Sequence, residues 1–235
     1  MRYKAVFLDF DDTLYDTHGN AQIALEGIFE EFELGRHFDA PSDFIIPYWK
    51  TNAELWAQYA KAEISRDYLI VERFRRPLSL GRGLEPDEAY CLRISDRFLE
   101  ICAEQSGTIE GAHELVADLK AKGYRLFIAS NGFTEVQSRK IASAGMAGCF
   151  EKLFLSEALG VNKPSPLFFE RALKEAGLEA SEVMMIGDNY DTDILGAINS
   201  GMHSIHFNPG GTMLEEGKKA PDHSVRSLRD IMEIL

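Results

Sequence analysis

The stretch KAVFLDFDDTL, residues 4–14, decides how the rest of the chain is read. Ala5, Val6, Phe7 and Leu8 are apolar without alternation, the pattern of a parallel strand covered by helices on both faces rather than of a strand with one wet side. The apolar run stops at Asp9, and Asp11 and Asp12 follow at once. In an open parallel sheet, ligands bind beyond the carboxyl ends of the strands, so acids placed there are candidates for chemistry. A lone acidic turn is more often a solvated turn or a helix cap. What the other strands end in therefore distinguishes a site from a turn.

Counting Lys4 to Asp9, five segments read as strands; the others are Arg125 to Ser130, Lys152 to Ser156, Val183 to Asp188 and His203 to Asn208. Helical patterns at Ala112 to Lys122, Val136 to Ala144, Leu167 to Ala176 and Asp193 to Ser200 lie among the later ones, and most stop at a glycine: Gly123, Gly145, Gly177 and Gly201. Alternation of this kind predicts an α/β fold, a doubly wound, Rossmann-like parallel sheet. Residues 17–106 break the rhythm, offering helical periods at Ala21 to Phe32 and Ala53 to Lys61 without a strand between them. The expectation is an inserted, all-helical domain over 17–106 and a core domain made of 1–16 and 107–235. Glycine and polar residues at Asp16 to Asn20 and Gln105 to Gly111 suit hinges.

The strand ends carry unusual chemistry. The fourth segment ends in Gly187 and Asp188, followed by Asn189, Tyr190, Asp191, Thr192 and Asp193. Two acidic ends meeting in one sheet make a hard-oxygen site suited to Mg²⁺, although Asp191 or Asp193 would equally serve to cap the helix that follows. The second segment ends in Ser130, Asn131 and Gly132, which can donate hydrogen bonds to phosphate oxygens, and Lys163 with Pro164 follows the third. A lysine there would neutralise a phosphate or the crowded acids.

Composition narrows the partners. The chain has 235 residues, 45% of them hydrophobic, and a formal charge of -13. No basic run interrupts that charge, which argues against long nucleic acids. Cys91, Cys102 and Cys149 are odd in number and widely spaced, as expected of buried thiols in a reducing compartment. The opening apolar run is too short for a signal core or a membrane span, so a cytoplasmic protein without membrane attachment is expected.

Asp-x-Asp, then Ser, then Lys, then an acidic Gly-Asp segment, each at a strand end, resembles the haloacid dehalogenase (HAD) superfamily. The resemblance covers the whole chain, and the insertion after the first motif is similar to that family's helical C1 cap. It implies a Mg²⁺-dependent phosphatase. Asp9 would be the nucleophile that forms an aspartyl-phosphate, Asp11 the general acid and base, and Lys163 the catalytic cation. Ser130, the Asn131 amide and Gly132 would hold the phosphoryl oxygens. Asp9, Asp11, Asp188 and Asp193 would make up the metal set, with Asp191 a further candidate for holding metal-bound water or orienting Lys163. Asp12 stands where many members have glycine. Asp11 argues against dehalogenation, because a halide needs no proton to leave and an alkoxide does.

The run Ser130 to Thr134 with Gln137, the segment from Ser156 to Pro164 and the Asp193 to Gly201 region resemble the pyrimidine 5′-nucleotidase branch. That implies a small phosphorylated metabolite as partner, a nucleoside monophosphate first. A sugar phosphate is the alternative substrate, and a phospho-aspartate signalling module is an alternative of another class. Phe133 is a pocket candidate. Trp49, Asn52, Trp56 and Tyr59 share one helical stripe, from which Trp56 could stack on a base, although aromatic residues at that spacing usually fill a helical core. Arg66, Arg73, Arg75 and Arg76 would reach a substrate or form a solvated face. His203 and His206, three apart on a strand, face opposite sides and cannot share one ion.

Overall fold

The computed structural model describes residues 3–235. They form two compact units: residues up to Thr17 together with Ser106–Leu235, and His18–Gln105. The first unit is built on the strands β1 (Ala5–Leu8), β2 (Arg125–Ser130), β3 (Lys152–Leu155), β4 (Val183–Gly187), β5 (His203–Phe207) and β6 (His223–Val225). They lie in the order β3-β2-β1-β4-β5-β6, with every pair parallel. β1 is thus the third strand from the β3 edge of a doubly wound core, with Ala5 in register with Arg125 on one side and Val183 on the other. The chain runs outward from β1 to β3 in one direction and from β4 to β6 in the other, so the winding reverses between β1 and β4. A crevice opens there in sheets of this order.

The second unit consists of α1 (Thr17–Glu31, which begins one residue earlier), α2 (Ser42–Ala60), α3 (Arg66–Leu78) and α4 (Glu88–Glu104). Side chains close two helix starts: Ser65 accepts from Tyr68 N–H at 3.2 Å and Asp87 from Tyr90 N–H at 2.7 Å, each satisfying a donor that the first turn leaves orphaned. Leu25, Ile28, Phe44, Tyr48, Phe74 and Phe98 fill its own core. The aromatic stripe on α2 is partly structural. Trp49 packs against that core and donates its indole N–H to Gln22 at 3.2 Å, while Trp56 meets Tyr59 edge-on at 5.6 Å. Arg73 is buried, donating to Ser95 Oγ at 2.8 Å beside the rings of Phe74 and Phe98. Arg75 and Arg76 both pair with Glu72.

The remaining helices, α5 (Ala112–Ala121), α6 (Thr134–Ser143), α7 (Ser156–Leu159), α8 (Pro166–Ala176), α9 (Leu195–Asn199) and α10 (Leu228–Ile234), belong to the first unit. Because side chains alternate along a strand, β1 supplies two cores. Val6 and Leu8 join Leu115, Leu119 and Ile231 on one face, and Ala5 and Phe7 join Phe168, Phe169 and Ala172 on the other. This double burial is the reason the strand shows no hydrophobic alternation. α8 ends on Gly177, whose φ of 66° is the left-handed conformation that a Cβ would penalise. β6 has no counterpart in the sequence reading: it is three residues long, and His223 and Ser224 are exposed.

Candidate active site

The β1 strand delivers Asp9 directly to the crevice, and the next residues fold back on it. Phe10 O accepts from Leu14 N–H at 3.0 Å and Tyr15 N–H at 2.9 Å, and Asp12 turns the chain with φ 58°. This is a conformation that glycine adopts most easily and that aspartate tolerates better than most residues. The turn places Thr13 between two acids. Its hydroxyl donates to Asp188 Oδ1 at 3.1 Å, lies 3.4 Å from Asp9 Oδ2, and accepts from Asp188 N–H at 3.0 Å.

At the end of β4, Asp188 meets Asp9, and one helical turn later the chain brings in Asp193. The carboxylates of Asp9, Asp188 and Asp193 offer ligand atoms within 4.8 Å of one another. Asn189, rather than Asp191 or Asp193, closes the turn: its side chain accepts from the N–H groups of Asp191 and Thr192, both at 3.1 Å. Asp191 is exposed and faces Lys218 at 3.4 Å, and the Lys163 ammonium is oriented by Asp9, Ala129 and Asp193 rather than by it. Gly187 is needed here, because a Cβ would lie 2.6 Å from Asp193 Cγ.

Lys163 is 2% exposed, and its ammonium donates to Asp9 Oδ1 at 2.7 Å, Asp193 Oδ1 at 2.6 Å and Ala129 O at 2.6 Å. Burial disfavours that charge, but Asp193 and Asp9 more than offset it and hold the lysine above its ordinary proton affinity. One ammonium cannot compensate three carboxylates, those of Asp9 and Asp193 buried and that of Asp188 partly so. Burial drives Asp9 well above the usual carboxylate range despite Lys163, and Asp193, Asp188 and Asp11 push it further. Burial, with Asp193 and Asp12, lifts Asp188 to about 7. A close set of buried oxygen ligands with excess negative charge fits a hard divalent cation.

Ser130 and Asn131 end β2 beside this cluster. The Asn131 side chain pairs with the backbone of Lys163 in both directions, donating to Lys163 O at 3.0 Å and accepting from Lys163 N–H at 2.8 Å. Its amide group thereby fixes the lysine's position. Ser130 Oγ accepts from Gly132 N–H at 2.9 Å and from Gln137 Nε2 at 2.7 Å, which leaves its own proton to donate. Gly132 packs so closely that a Cβ would lie 2.5 Å from Gln137 Cδ. Phe133 is buried at 3% exposure, and its carbonyl accepts from Val136 N–H at 3.1 Å and Gln137 N–H at 3.0 Å.

The carboxylate of Asp11, expected among the metal ligands, is not one of the three that converge and is held by three donors. Thr17 Oγ1 at 2.8 Å and Lys140 Nζ at 2.6 Å reach Oδ1, and Gln137 Nε2 at 2.7 Å reaches Oδ2. Burial raises its proton affinity, but the charge of Lys140 and these three hydrogen bonds outweigh it, and the carboxyl lies below its ordinary pKa. Trp56 belongs to the helical unit. His203 faces Asp222 at 3.1 Å, whereas His206 Nε2 lies 2.9 Å from Asp188 O, so the two histidines do serve separate places.

Thr13, Lys140 and His206 carry no sequence signal of a role in the site, and Gln137 is marked in the sequence only by a resemblance. Thr13 stands four residues after Asp9, a spacing that alone suggests nothing. Gln137 and Lys140 lie three apart on α6, on one helical face, and only the turn that carries Asp11 under that face gives the spacing a meaning.

The chain matches the haloacid dehalogenase-like hydrolase family over residues 3–201. It is 33% identical to the pyrimidine 5′-nucleotidase PynA of Streptococcus pneumoniae over 237 residues, covering 100% of this chain and 96% of that protein. It is 30% identical to a glyceraldehyde 3-phosphate phosphatase of Methanothermobacter thermautotrophicus, covering 98% and 95%. The crystal structure of the HAD-hydrolase YfnB of Bacillus subtilis, bound to magnesium, matches with a TM-score of 0.88 at 26% identity, covering 100% and 99% of the two chains.

Proposed function

From the premise that this chain belongs to the haloacid dehalogenase-like hydrolases, as a phosphatase among them, we propose that it hydrolyses nucleoside 5′-monophosphates through a phosphoryl group carried on Asp9. The observation that carries the chemistry is the convergence of Asp9, Asp188 and Asp193 around the Lys163 ammonium at the point where the sheet reverses its winding.

An oxygen of Asp9 attacks phosphorus, and the bond from phosphorus to the ester oxygen breaks. Asp11 supplies the proton that lets that oxygen leave as an alcohol. An arriving phosphate dianion raises the proton affinity of a neighbouring carboxyl, which favours the protonated Asp11 this step requires. In the second half, Asp11 takes a proton from water, the hydroxide oxygen attacks phosphorus, and Asp9 is released with inorganic phosphate. Covalent catalysis divides one hard displacement into two easier ones. Lys163 keeps its position through Asn131 and faces the charge on Asp9, and the Ser130 hydroxyl, whose oxygen already accepts from Gly132 N–H, donates to a phosphoryl oxygen. Asp9, Asp188 and Asp193 would hold Mg²⁺, which when bound withdraws charge from the phosphoryl oxygens and the acids around them. The helical unit supplies the contacts that choose the ester, with Trp56 the candidate for stacking on a base.

The nucleotide assignment is supported by similarity to PynA. A sugar-phosphate reading has its own support in the glyceraldehyde 3-phosphate phosphatase of almost equal identity. Measuring kcat/KM with Mg²⁺ for UMP, dUMP and dTMP against glyceraldehyde 3-phosphate and other sugar phosphates separates them. The nucleotides are expected to lead, and a clear preference for sugar phosphates overturns the nucleotidase reading while leaving the phosphatase chemistry in place.

A further inference from the structure

Helix α6 presents two side chains to Asp11 that the reaction above does not use. Lys140 is 12% exposed in its side chain and places its ammonium 2.6 Å from Asp11 Oδ1 and 5.2 Å from the centroid of the Tyr15 ring. Tyr15 is itself buried and stacks on Phe10 at 5.4 Å, in the same turn that carries Asp11. Gln137 is buried at 1% exposure, and its Nε2 lies 2.7 Å from both Asp11 Oδ2 and Ser130 Oγ. Both oxygens of Asp11 are thus taken by donors on one helix face, and one of those donors is shared with the hydroxyl at the end of β2.

The amide of Gln137 has a definite orientation. Its nitrogen faces a carboxylate and a hydroxyl oxygen, and turning it over would place its carbonyl oxygen against the carboxylate. In this orientation Gln137 Oε1 is buried with no hydrogen-bond partner among the described residues, which is unfavourable for a polar atom. A residue with only a packing role would avoid that cost. The arrangement makes sense if the bridge from Asp11 to Ser130 is what matters, since it fixes a proton donor relative to the group that holds the phosphoryl oxygen.

We propose that Lys140 and Gln137 are positioning residues for leaving-group protonation: through Asp11 they set where the proton meets the departing oxygen, without touching the substrate. The inference rests on the proposed roles of Asp9 and Asp11 as nucleophile and general acid. An ion pair that merely stabilised the fold would affect all substrates alike. A positioning role depends on the leaving group, because a p-nitrophenolate departs readily without a proton and an alkoxide does not.

The test compares Lys140→Met and Gln137→Leu with wild type on a deoxynucleoside monophosphate and on p-nitrophenyl phosphate, both with saturating Mg²⁺. Each variant is expected to lose roughly tenfold or more in kcat on the alkyl ester and no more than about threefold on the aryl ester, with KM changed little. Lys140→Arg should restore most of the alkyl-ester rate. In an Asp11→Asn background, adding Lys140→Met should change kcat by no more than about twofold, since residues that act as a unit are not additive. Equal losses on both esters, or full additivity with Asp11→Asn, would overturn the inference while the phosphatase reading stands. A wild-type chain that hydrolyses neither ester would overturn both.

Discussion

At the scale of single residues, the site is defined by a surplus of buried negative charge, and that surplus has measurable consequences. Burial first, and then the neighbouring acids, disfavour the charged form of Asp9. Asp9→Asn is therefore expected to cut Mg²⁺-dependent phosphate release by at least about 10³-fold, while the melting temperature of the metal-free chain stays level or rises. Turnover within tenfold of wild type would remove Asp9 from the mechanism, and a sharp fall in melting temperature would contradict the charge argument. Asp188 gives the pH dependence. Its folded pKa of about 7 stands above the ordinary carboxylate value of 3.8, so its contribution to stability is fully present below the lower value and is lost as pH rises through the upper one. Since a divalent cation binds the deprotonated form, the rise in melting temperature on adding Mg²⁺ should be small near pH 5 and larger near pH 8. A shift independent of pH would refute this assignment. Asp9 and Asp188 were legible in the sequence because each follows an apolar strand directly, whereas Lys163 and Asp193 stand several residues further on and gain meaning only from the order of the motifs. Lys140 was not legible, because a lysine on an amphipathic helix is ordinary until its neighbour across space is known.

At the scale of elements, close approach of backbones matters more than any single bond. α9 crosses α8 at Gly196, where a Cβ would meet Phe169 Cε2 at 2.5 Å and Pro164 Cα at 3.1 Å. Gly196→Ala must push apart the helix that follows Asp193 and the loop that carries Lys163. The expected cost is about 1–3 kcal/mol, read by chemical denaturation, with an additional fall in kcat because the pairing of Lys163 with Asp193 depends on that spacing. Normal stability and activity in this variant would mean that the contact relaxes freely. The five strands read from sequence, β1 to β5, lie within about a residue of their observed limits, because burial on two faces leaves an unbroken apolar run with a polar end. β6 was invisible for the opposite reason: only Val225 of its three residues is buried, and its pairing with β5 comes from the return of the chain rather than from its own composition.

At the scale of the whole molecule, the insertion is carried by a joint that closes on itself. Where the chain leaves and re-enters the first unit, Tyr15 bridges Thr108 in antiparallel fashion, Asp16 N–H donates to Gly107 O at 3.1 Å and Ile109 N–H donates to Leu14 O at 2.9 Å. The two ends of His18–Gln105 are therefore held side by side by the first unit itself. The buried clusters divide in the same way: those around the sheet draw on residues outside 18–105, and the third lies wholly within them. A chain in which a short glycine-serine linker replaces 18–105 should consequently fold, because closing a short loop between neighbouring strands costs little, and should melt cooperatively and still gain stability from Mg²⁺. If the helical unit chooses the ester, this shortened chain should hydrolyse p-nitrophenyl phosphate measurably while its preference among nucleotides and sugar phosphates collapses. Failure to melt cooperatively would mean that the sheet depends on the insertion for its stability. Retained discrimination would place specificity in the sheet unit, with Phe133 rather than Trp56 the residue to examine.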